Sequence, residues 1–366
     1  MSVIDELFSS NPYSLSASRK NKLLVSELNE LTSFHYSNCE PYNKILTNFG
    51  YKPKKRIKAI ADFPFLPVRL FKTHKIQSIP DTEVLKVLIS SGTTSQVVSK
   101  IALNRETATY QVKALANIVT SFIGHKRYPM IIVDSDSILK NKSNLNARGA
   151  GLVGLSNFGR NHLYALDENM NLKKEELIAF AEKFGNEPVL IFGFTFMIWQ
   201  YFLGECKKHG VNIKFPYGVL IHSGGWKKLI EISVSNKIFK SELSSYFWID
   251  KIYNFYGMVE QVGSIYMECE HGYLHTPNYA EIIIRDYHDW SPLPHGKKGI
   301  IQTLSLLPRS YPGHSLLTED IGHTVGTDNC RCGRKGTYFL VEGRIPKAEV
   351  RGCSDTHAES LTIFNQ

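Results

Sequence analysis

The chain is poor in cysteine. Its six thiols, Cys39, Cys206, Cys269, Cys330, Cys332 and Cys353, are too sparse over 366 residues to build a disulfide scaffold. The first residues carry the acids Asp5 and Glu6 and no cationic stretch backed by an apolar one, so no secretory leader is expected. Long apolar runs are missing too. The longest uncharged stretch, residues 188–204, is interrupted by Gly193, Thr195 and Gln200, and it falls short of the roughly 20 residues a membrane span needs. No segment interleaves aromatic and basic residues as a single-strand nucleic-acid groove does, and there is no internal repeat or low-complexity tract. These absences predict a cytoplasmic protein with no membrane span and no nucleic-acid partner.

What is present fits a globular chain. A hydrophobic fraction of 43% supplies a core for one large domain or two smaller ones. The net charge of +9 is concentrated visibly at Lys52, Lys54, Lys55, Arg56 and Lys58. Such a cluster reads first as a solvated face, and second as attraction for phosphates, an acidic partner or a membrane surface. Residues 1–60 read as a helical segment. From residue 84 short β-branched runs alternate with helical periods: strands over 84–89, 130–133, 189–194 and 218–222, helices over 106–123, 173–184 and 197–209. That alternation predicts an α/β fold with a largely parallel sheet, followed after residue 255 by a β-rich lobe.

Five short constellations carry chemistry. Ser90, Ser91, Gly92, Thr93, Thr94 and a trailing Lys100 follow an apolar run. Hydroxyls, backbone N–H groups and a lysine suit a phosphate-wrapping loop, although the Gly-Lys-Ser/Thr of the common nucleotide hydrolases is absent. His222, Ser223, Gly224, Gly225 and Trp226 close another apolar run, where a base can lie against backbone. Asn254, Tyr256, Gly257 and Glu260 place an aromatic–glycine pair three residues before a carboxylate, which suits a stacked base and a divalent cation. Asp320 is expected to end a strand and accept from sugar hydroxyls, and Arg344 to sit on a turn. The aromatic run 192–202 reads as core, or as the lining of an apolar tunnel.

Taken in order, these motifs resemble the core of the acyl-adenylate-forming ligases, most closely the long-chain-fatty-acid–protein ligases, the LuxE-type acyl-protein synthetases of bacterial luminescence. Residues 256–264, 310–318 and 349–356 resemble that family in particular. The resemblance implies a large N-terminal domain of the ligase superfamily with a β-rich lobe and a truncated C-terminal domain: a helical segment over 1–60, an adenylation core over 61–342, and a hinge remnant with an acyl-carrying arm over 343–366. It implies that Ser90, Ser91, Gly92, Thr93, Thr94 and Lys100 grip the phosphates of ATP, and that Gly224, Gly225, Asn254, Tyr256 and Gly257 frame adenine. Glu260 would bind Mg²⁺, Asp320 and Arg344 would hold ribose, and His222 would join the catalytic set. Ser95 and Val259 depart from the glycine and threonine usual in the superfamily.

By the same resemblance Cys353 would accept the acyl group as a thioester. Arg351 favours its thiolate, and Gly352 frees the backbone. A partner acyl reductase or acyl-acceptor protein would then take the acyl group, derived from a fatty or other carboxylic acid. Cys269, Cys330 and Cys332 with His275 form a separate set suited to tetrahedral zinc, with His271 as the alternative nitrogen. Competing functions are an acyl- or aryl-CoA ligase of the phenylacetate type and a catalytically degenerate nucleotide-binding subunit.

Overall fold

The computed structural model describes residues 3–90, 98–139, 147–226 and 233–345. Ser91, Gly92, Thr93, Thr94 and Cys353 therefore lie outside the described residues. The chain opens with helices α1 (Val3–Ser9), α2 (Ala17–Asn38) and α3 (Glu40–Asn48), then strand β1 (Leu66–Pro67), helix α4 (Leu70–Thr73) and strands β2 (Lys86–Ile89) and β3 (Lys100–Leu103). Helix α5 (Arg105–Ile123) leads into β4 (Tyr128–Val133), α6 (Ala147–Ser156), β5 (Gly159–Tyr164), α7 (Lys174–Phe184), β6 (Leu190–Phe194), α8 (Thr195–Met197), α9 (Glu205–Lys208), β7 (Val219–Ser223), α10 (Asn236–Phe247) and β8 (Lys251–Gly257). Strands then dominate: β9 (Ile265–Met267), β10 (Leu274–His275), β11 (Ala280–Arg285), β12 (Gly299–Ser305), β13 (Ser315–Thr327) and β14 (Thr337–Arg344).

Two compact units emerge. The first comprises residues 3–90, 98–122 and 257–345. Its main sheet has the order β10-β14-β13-β12-β11, antiparallel throughout, with β1 added in parallel against β13. Strands β11 and β12 are buried along their whole length, and their polar residues are buried with them: Arg285 Nε donates to Gln302 Oε1 at 2.7 Å. Helix α2 is fastened to this sheet by a buried cation. Lys20 Nζ lies 2.8 Å from Glu281 Oε2, 2.7 Å from Thr276 Oγ1 and 3.2 Å from the Ala280 carbonyl. Three acceptors use all three ammonium protons, the condition under which a desolvated ion pair is tolerated.

The second unit comprises residues 123–139, 147–226 and 233–256. It holds a parallel sheet of order β5-β4-β6-β7-β8, as the alternating sequence predicts. Gly193 lets β6 pack closely, because a Cβ there would lie 2.8 Å from Val133 Cβ. The helix predicted over 197–209 is interrupted: a π-helical stretch, Ile198–Gly204, joins α8 to α9. Its Trp199 stacks on Phe239 of α10 with ring centroids 5.9 Å apart. Phe194, Phe196, Ile198, Tyr201 and Phe202 pack into one hydrophobic cluster, as the core reading of the aromatic run expects.

Two expectations about single residues are corrected. Asp320 does not end a strand. It sits inside β13, which continues to Thr327 because both β12 and β14 pair with it past this point. Arg344 is not on a turn but closes β14, in register with Asp320. Among the described residues no helix is long and apolar enough to cross a membrane.

Candidate functional site

In the first unit, β2 and β3 form an antiparallel hairpin whose open end is clasped by two serines. Ser90 N–H donates to the Ser99 carbonyl at 3.0 Å, and Ser99 N–H donates to Ser90 Oγ at 2.8 Å. Ser90 and Ser99 flank the hydroxyl-rich motif in the sequence. Strand alternation then sorts its neighbours: Ser99 and Ile101 are fully buried, and Lys100 between them is exposed on the opposite face.

The buried face meets Glu260. That residue lies on a 3₁₀ turn, Val259–Gln261, pinned from both sides. Gln261 Nε2 donates to the carbonyls of Thr303 and Gly313, at 3.2 and 3.0 Å, and Val262 N–H donates to the Tyr311 hydroxyl at 3.1 Å. Burial pushes the Glu260 carboxyl up. Ser99, the residue's own amide, Lys72 and Arg344 pull it back. A buried carboxylate with only partial compensation fits a site for a divalent cation, which restores the missing positive charge.

Beside it runs a row of charges. Arg344 Nε donates to Asp320 Oδ1 at 3.0 Å, and Arg69 pairs with Glu319. Asp320 is held by its own backbone, its N–H donating to Thr318 Oγ1 at 3.1 Å while that hydroxyl donates to the Ile301 carbonyl at 2.8 Å. Arg69 reaches Glu319 because β1 pairs with β13 at Leu66–Leu316 and Pro67–Leu317, which carries the following residues along the same strand.

In the second unit the remaining candidates gather at the carboxyl ends of parallel strands, where open α/β sheets bind ligands. Gly193, His222 and Asn254 are successive register partners across β6, β7 and β8. Gly224, with φ of 82°, and Gly225 follow β7 directly, and Tyr256 lies near the end of β8. Thr195 Oγ1 donates to the Gly224 carbonyl at 2.6 Å, so it receives the proton of His222 Nδ1, 2.9 Å away. The ring is therefore the Nδ1–H tautomer with a lone pair on Nε2. Burial pushes its pKa down to about 3, and it packs on Phe239 at 4.6 Å. Behind this edge Arg148 of α6 forks onto Asp134, a buried pair that fixes α6 to the end of β4.

A second centre lies in the first unit. Donor atoms of Cys269, His275, Cys330 and Cys332 all fall within 4.8 Å of one another. Cys332 Sγ is 3.4 Å from His275 Nε2, and Cys269 Sγ is 3.9 Å from Cys330 Sγ. Two tight turns present the thiols: Gly272 N–H donates to the Cys269 carbonyl and Gly333 N–H to that of Cys330, both glycines having positive φ. His271 is exposed and outside the group, so the nitrogen is that of His275. Burial pushes the Cys269 thiol up to about 12 and raises that of Cys330. Three thiols and an imidazole with their donor atoms this close together have the composition of a closed zinc site.

The sequence reading missed Arg69, Lys72, Glu319 and Thr195. Thr195 was visible only as a polar residue in an apolar run. The others depend on the pairing of β1 with β13, which no local pattern records.

Known proteins resemble this chain in sequence and in fold. The long-chain-fatty-acid–luciferin-component ligase of Vibrio harveyi is 23% identical over 378 residues, covering 99% of this chain and 94% of the relative. That of Aliivibrio fischeri is 24% identical over 334 residues, covering 88% and 84%. Among solved structures, an open conformation of 2-hydroxyisobutyryl-CoA ligase in complex with 2-HIB-AMP and CoA superposes with a TM-score of 0.69 at 15% identity, over 92% of this chain and 77% of that one. The same enzyme in its thioesterification state gives 0.68, over 93% and 71%. The fold is thus that of the adenylate-forming ligases. The model of the acyl-protein synthetases, LuxE, matches residues 1–362, and the chain is a ligase that belongs to that family.

Proposed function

We propose that the chain activates a carboxylic acid of the fatty-acid class with MgATP and passes the acyl group to Cys353 for delivery to a partner acyl reductase or acyltransferase. The observation that carries this reading is the buried Glu260 carboxyl hydrogen-bonded by Ser99, with the charges of Lys72 and Arg344 acting on it. In the first half-reaction a carboxylate oxygen bonds to the α-phosphorus and the bond to pyrophosphate breaks. In the second, the Cys353 thiolate bonds to the acyl carbon and AMP leaves with the electron pair of the broken C–O bond. The charge that develops on phosphate oxygens needs fixed positive groups nearby. Asp320 would accept from the ribose hydroxyls, held in place by Arg344. Mg²⁺ at Glu260 would neutralise phosphate charge. Zinc at Cys269, His275, Cys330 and Cys332 would be structural, since four protein ligands leave no open position.

The names of the two relatives support a fatty acid as substrate. The likeness to a CoA ligase supports the fold alone. Intact-mass analysis after incubation with MgATP and a panel of carboxylic acids tests the proposal. A hydroxylamine-labile gain of one acyl group on the protein is expected. Soluble acyl-CoA formed on adding coenzyme A, with no labelled protein, would favour the CoA-ligase reading instead.

A further inference from the structure

Strands β6 and β7 keep parallel register as far as Phe194 and Ser223, and there the pairing ends. β6 passes straight into α8 at Thr195, while β7 turns at Gly224, whose φ is 82°. Side chains hold the two chain ends where the ladder stops. Thr195, only 6% exposed, sets its Oγ1 2.6 Å from the Gly224 carbonyl and 3.1 Å from that of Ser223. Ser223 Oγ donates to the Phe255 carbonyl at 3.0 Å, which ties the same turn to the end of β8. A carbonyl can only accept, so the one hydroxyl proton of Thr195 points to that turn, and the oxygen receives the Nδ1 proton of His222, 2.9 Å away. His222 is itself 2% exposed, and among the described residues its Nε2 meets no hydrogen-bond partner. An apolar ring would avoid that cost. What the imidazole adds at this position is the Nδ1 donor.

We propose that Thr195 is a positioning residue for the nucleotide: its hydroxyl, held by His222, fixes the Gly224–Gly225 turn, and His222 serves as a strut rather than as an acid or base. Glycine loses more conformational freedom on ordering than any other residue. Two in succession present one defined backbone surface only if something outside the turn clamps it, and the clamp here comes from the buried side. The other side is open: no atom of the described residues lies within 4 Å of where a Cβ on Gly225 would stand. A flat base can therefore approach the backbone at Gly225 while Thr195 holds Gly224 from behind. A general acid or base must bring its titrating nitrogen to the substrate. In His222 one nitrogen faces Thr195, and the ring lies against Phe239 with centroids 4.6 Å apart. The inference rests on the adenylation reading given above, with adenine set against Gly224 and Gly225.

The test compares wild type with Thr195→Val, Thr195→Ser, His222→Phe, His222→Asn and the double variant Thr195→Val/His222→Phe. Two readouts are taken: calorimetric affinity for adenosine, and KM for ATP against kcat in carboxylate-dependent exchange of pyrophosphate into ATP. Losing the hydroxyl should weaken adenosine binding by about threefold to thirtyfold in Thr195→Val. Thr195→Ser should recover most of that loss. His222→Phe should resemble Thr195→Val, and His222→Asn, which keeps an N–H near the place of Nδ1, should recover part. The double variant should lose no more than the worse single one, because the two side chains act through one contact. In exchange the loss should fall on KM for ATP more than on kcat. Wild-type adenosine affinity in Thr195→Val, or Thr195→Ser as weak as Thr195→Val, would overturn the inference and leave the ligase reading standing. A fall in kcat with KM unchanged in His222→Asn would make His222 an acid or base and overturn it as well. If Thr195→Val does not fold, His222→Phe and Thr195→Ser decide by the same criteria. The expected affinities in a protein that never exchanges pyrophosphate would uphold the inference and sink the reading. A wild type that binds no adenosine overturns both.

Discussion

Arg344 and Asp320 are register partners across β13 and β14, and the arginine Nε donates to Asp320 Oδ1 at 3.0 Å. The aspartate side chain is 14% exposed and the arginine 38%. The carboxylate is thus oriented from one side by a cation and from below by the Thr318 hydroxyl, through its own backbone. An acceptor held this way loses little entropy when a diol binds to its outer oxygen.

That arrangement makes Asp320→Asn a sharp test of ribose recognition. The amide keeps the shape but removes the charge, and one face becomes a donor where two sugar hydroxyls require acceptors. Adenosine affinity should fall by about tenfold or more, with thermal stability close to wild type. Titration calorimetry at fixed pH measures it. Affinity equal to wild type would remove Asp320 from the nucleotide site.

The thiol cluster should contain one zinc per chain. Elemental analysis of protein purified without a metal-affinity step measures the content directly. Removing the metal with a strong chelator should cost several kcal/mol, a drop in thermal midpoint of roughly 5–10 °C for a chain of this size. His275→Ala should reproduce that loss and His271→Ala should not, since only His275 stands 3.4 Å from Cys332 Sγ. Metal-free protein that unfolds at the same temperature would show the four side chains to be an ordinary buried cluster.

Much of this was legible in the sequence. The Cys/His quartet showed as two short motifs, over 269–275 and 330–332, whose donor atoms the fold brings within 4.8 Å of one another. The alternating strands and helices of the second unit read correctly because buried parallel strands leave uninterrupted apolar runs, such as residues 130–133 and 219–221. What failed was long-range register. Asp320 was expected to end a strand, yet β12 and β14 both pair with β13 beyond it. Lys72 carried no signal at all, since α4 is only Leu70–Thr73 and its position is set by β13, far along the chain. The side of Lys100 was readable in principle, from period-two alternation with Ser99 and Ile101.

Acid should weaken the first unit ahead of general acid unfolding. His35 and His314 stack with ring centroids 5.0 Å apart, both fully buried. His35 Nε2 donates to the Pro308 carbonyl at 3.3 Å, so its Nδ1 accepts from Ser78 Oγ at 2.7 Å. Burial pushes the His35 pKa down to about 3 and that of His314 well below its usual value, with Arg309 adding to both. The folded state therefore binds fewer protons than the unfolded chain. Stability from this pair is complete above the unfolded value of about 6.5 and is lost as pH falls below it, by about 1.4 kcal/mol per unit for each ring. Urea midpoints between pH 7.5 and 5 should decline, and His314→Gln should flatten the slope whatever its effect at pH 7.5. An unchanged slope in that variant would assign the acid sensitivity elsewhere.

The last prediction separates the two half-reactions. A thiol is the fitting acceptor for an acyl adenylate, because its thiolate is strongly nucleophilic and the thioester it forms stays reactive toward a reductase. Cys353 is the candidate, and the other cysteines are poor ones. Cys39 and Cys206 are buried, with burial raising the Cys39 thiol and pushing that of Cys206 up to about 12. Cys269, Cys330 and Cys332 belong to the Cys/His cluster with His275. Cys353→Ser should keep carboxylate-dependent pyrophosphate exchange within about threefold of wild type, since the first step needs no thiol, and should lose stable acyl labelling. Cys206→Ser should retain both. A hydroxylamine-labile adduct that persists in Cys353→Ser would move the acceptor to another residue. Loss of exchange together with labelling would make Cys353 part of the adenylation step and end the two-stage mechanism.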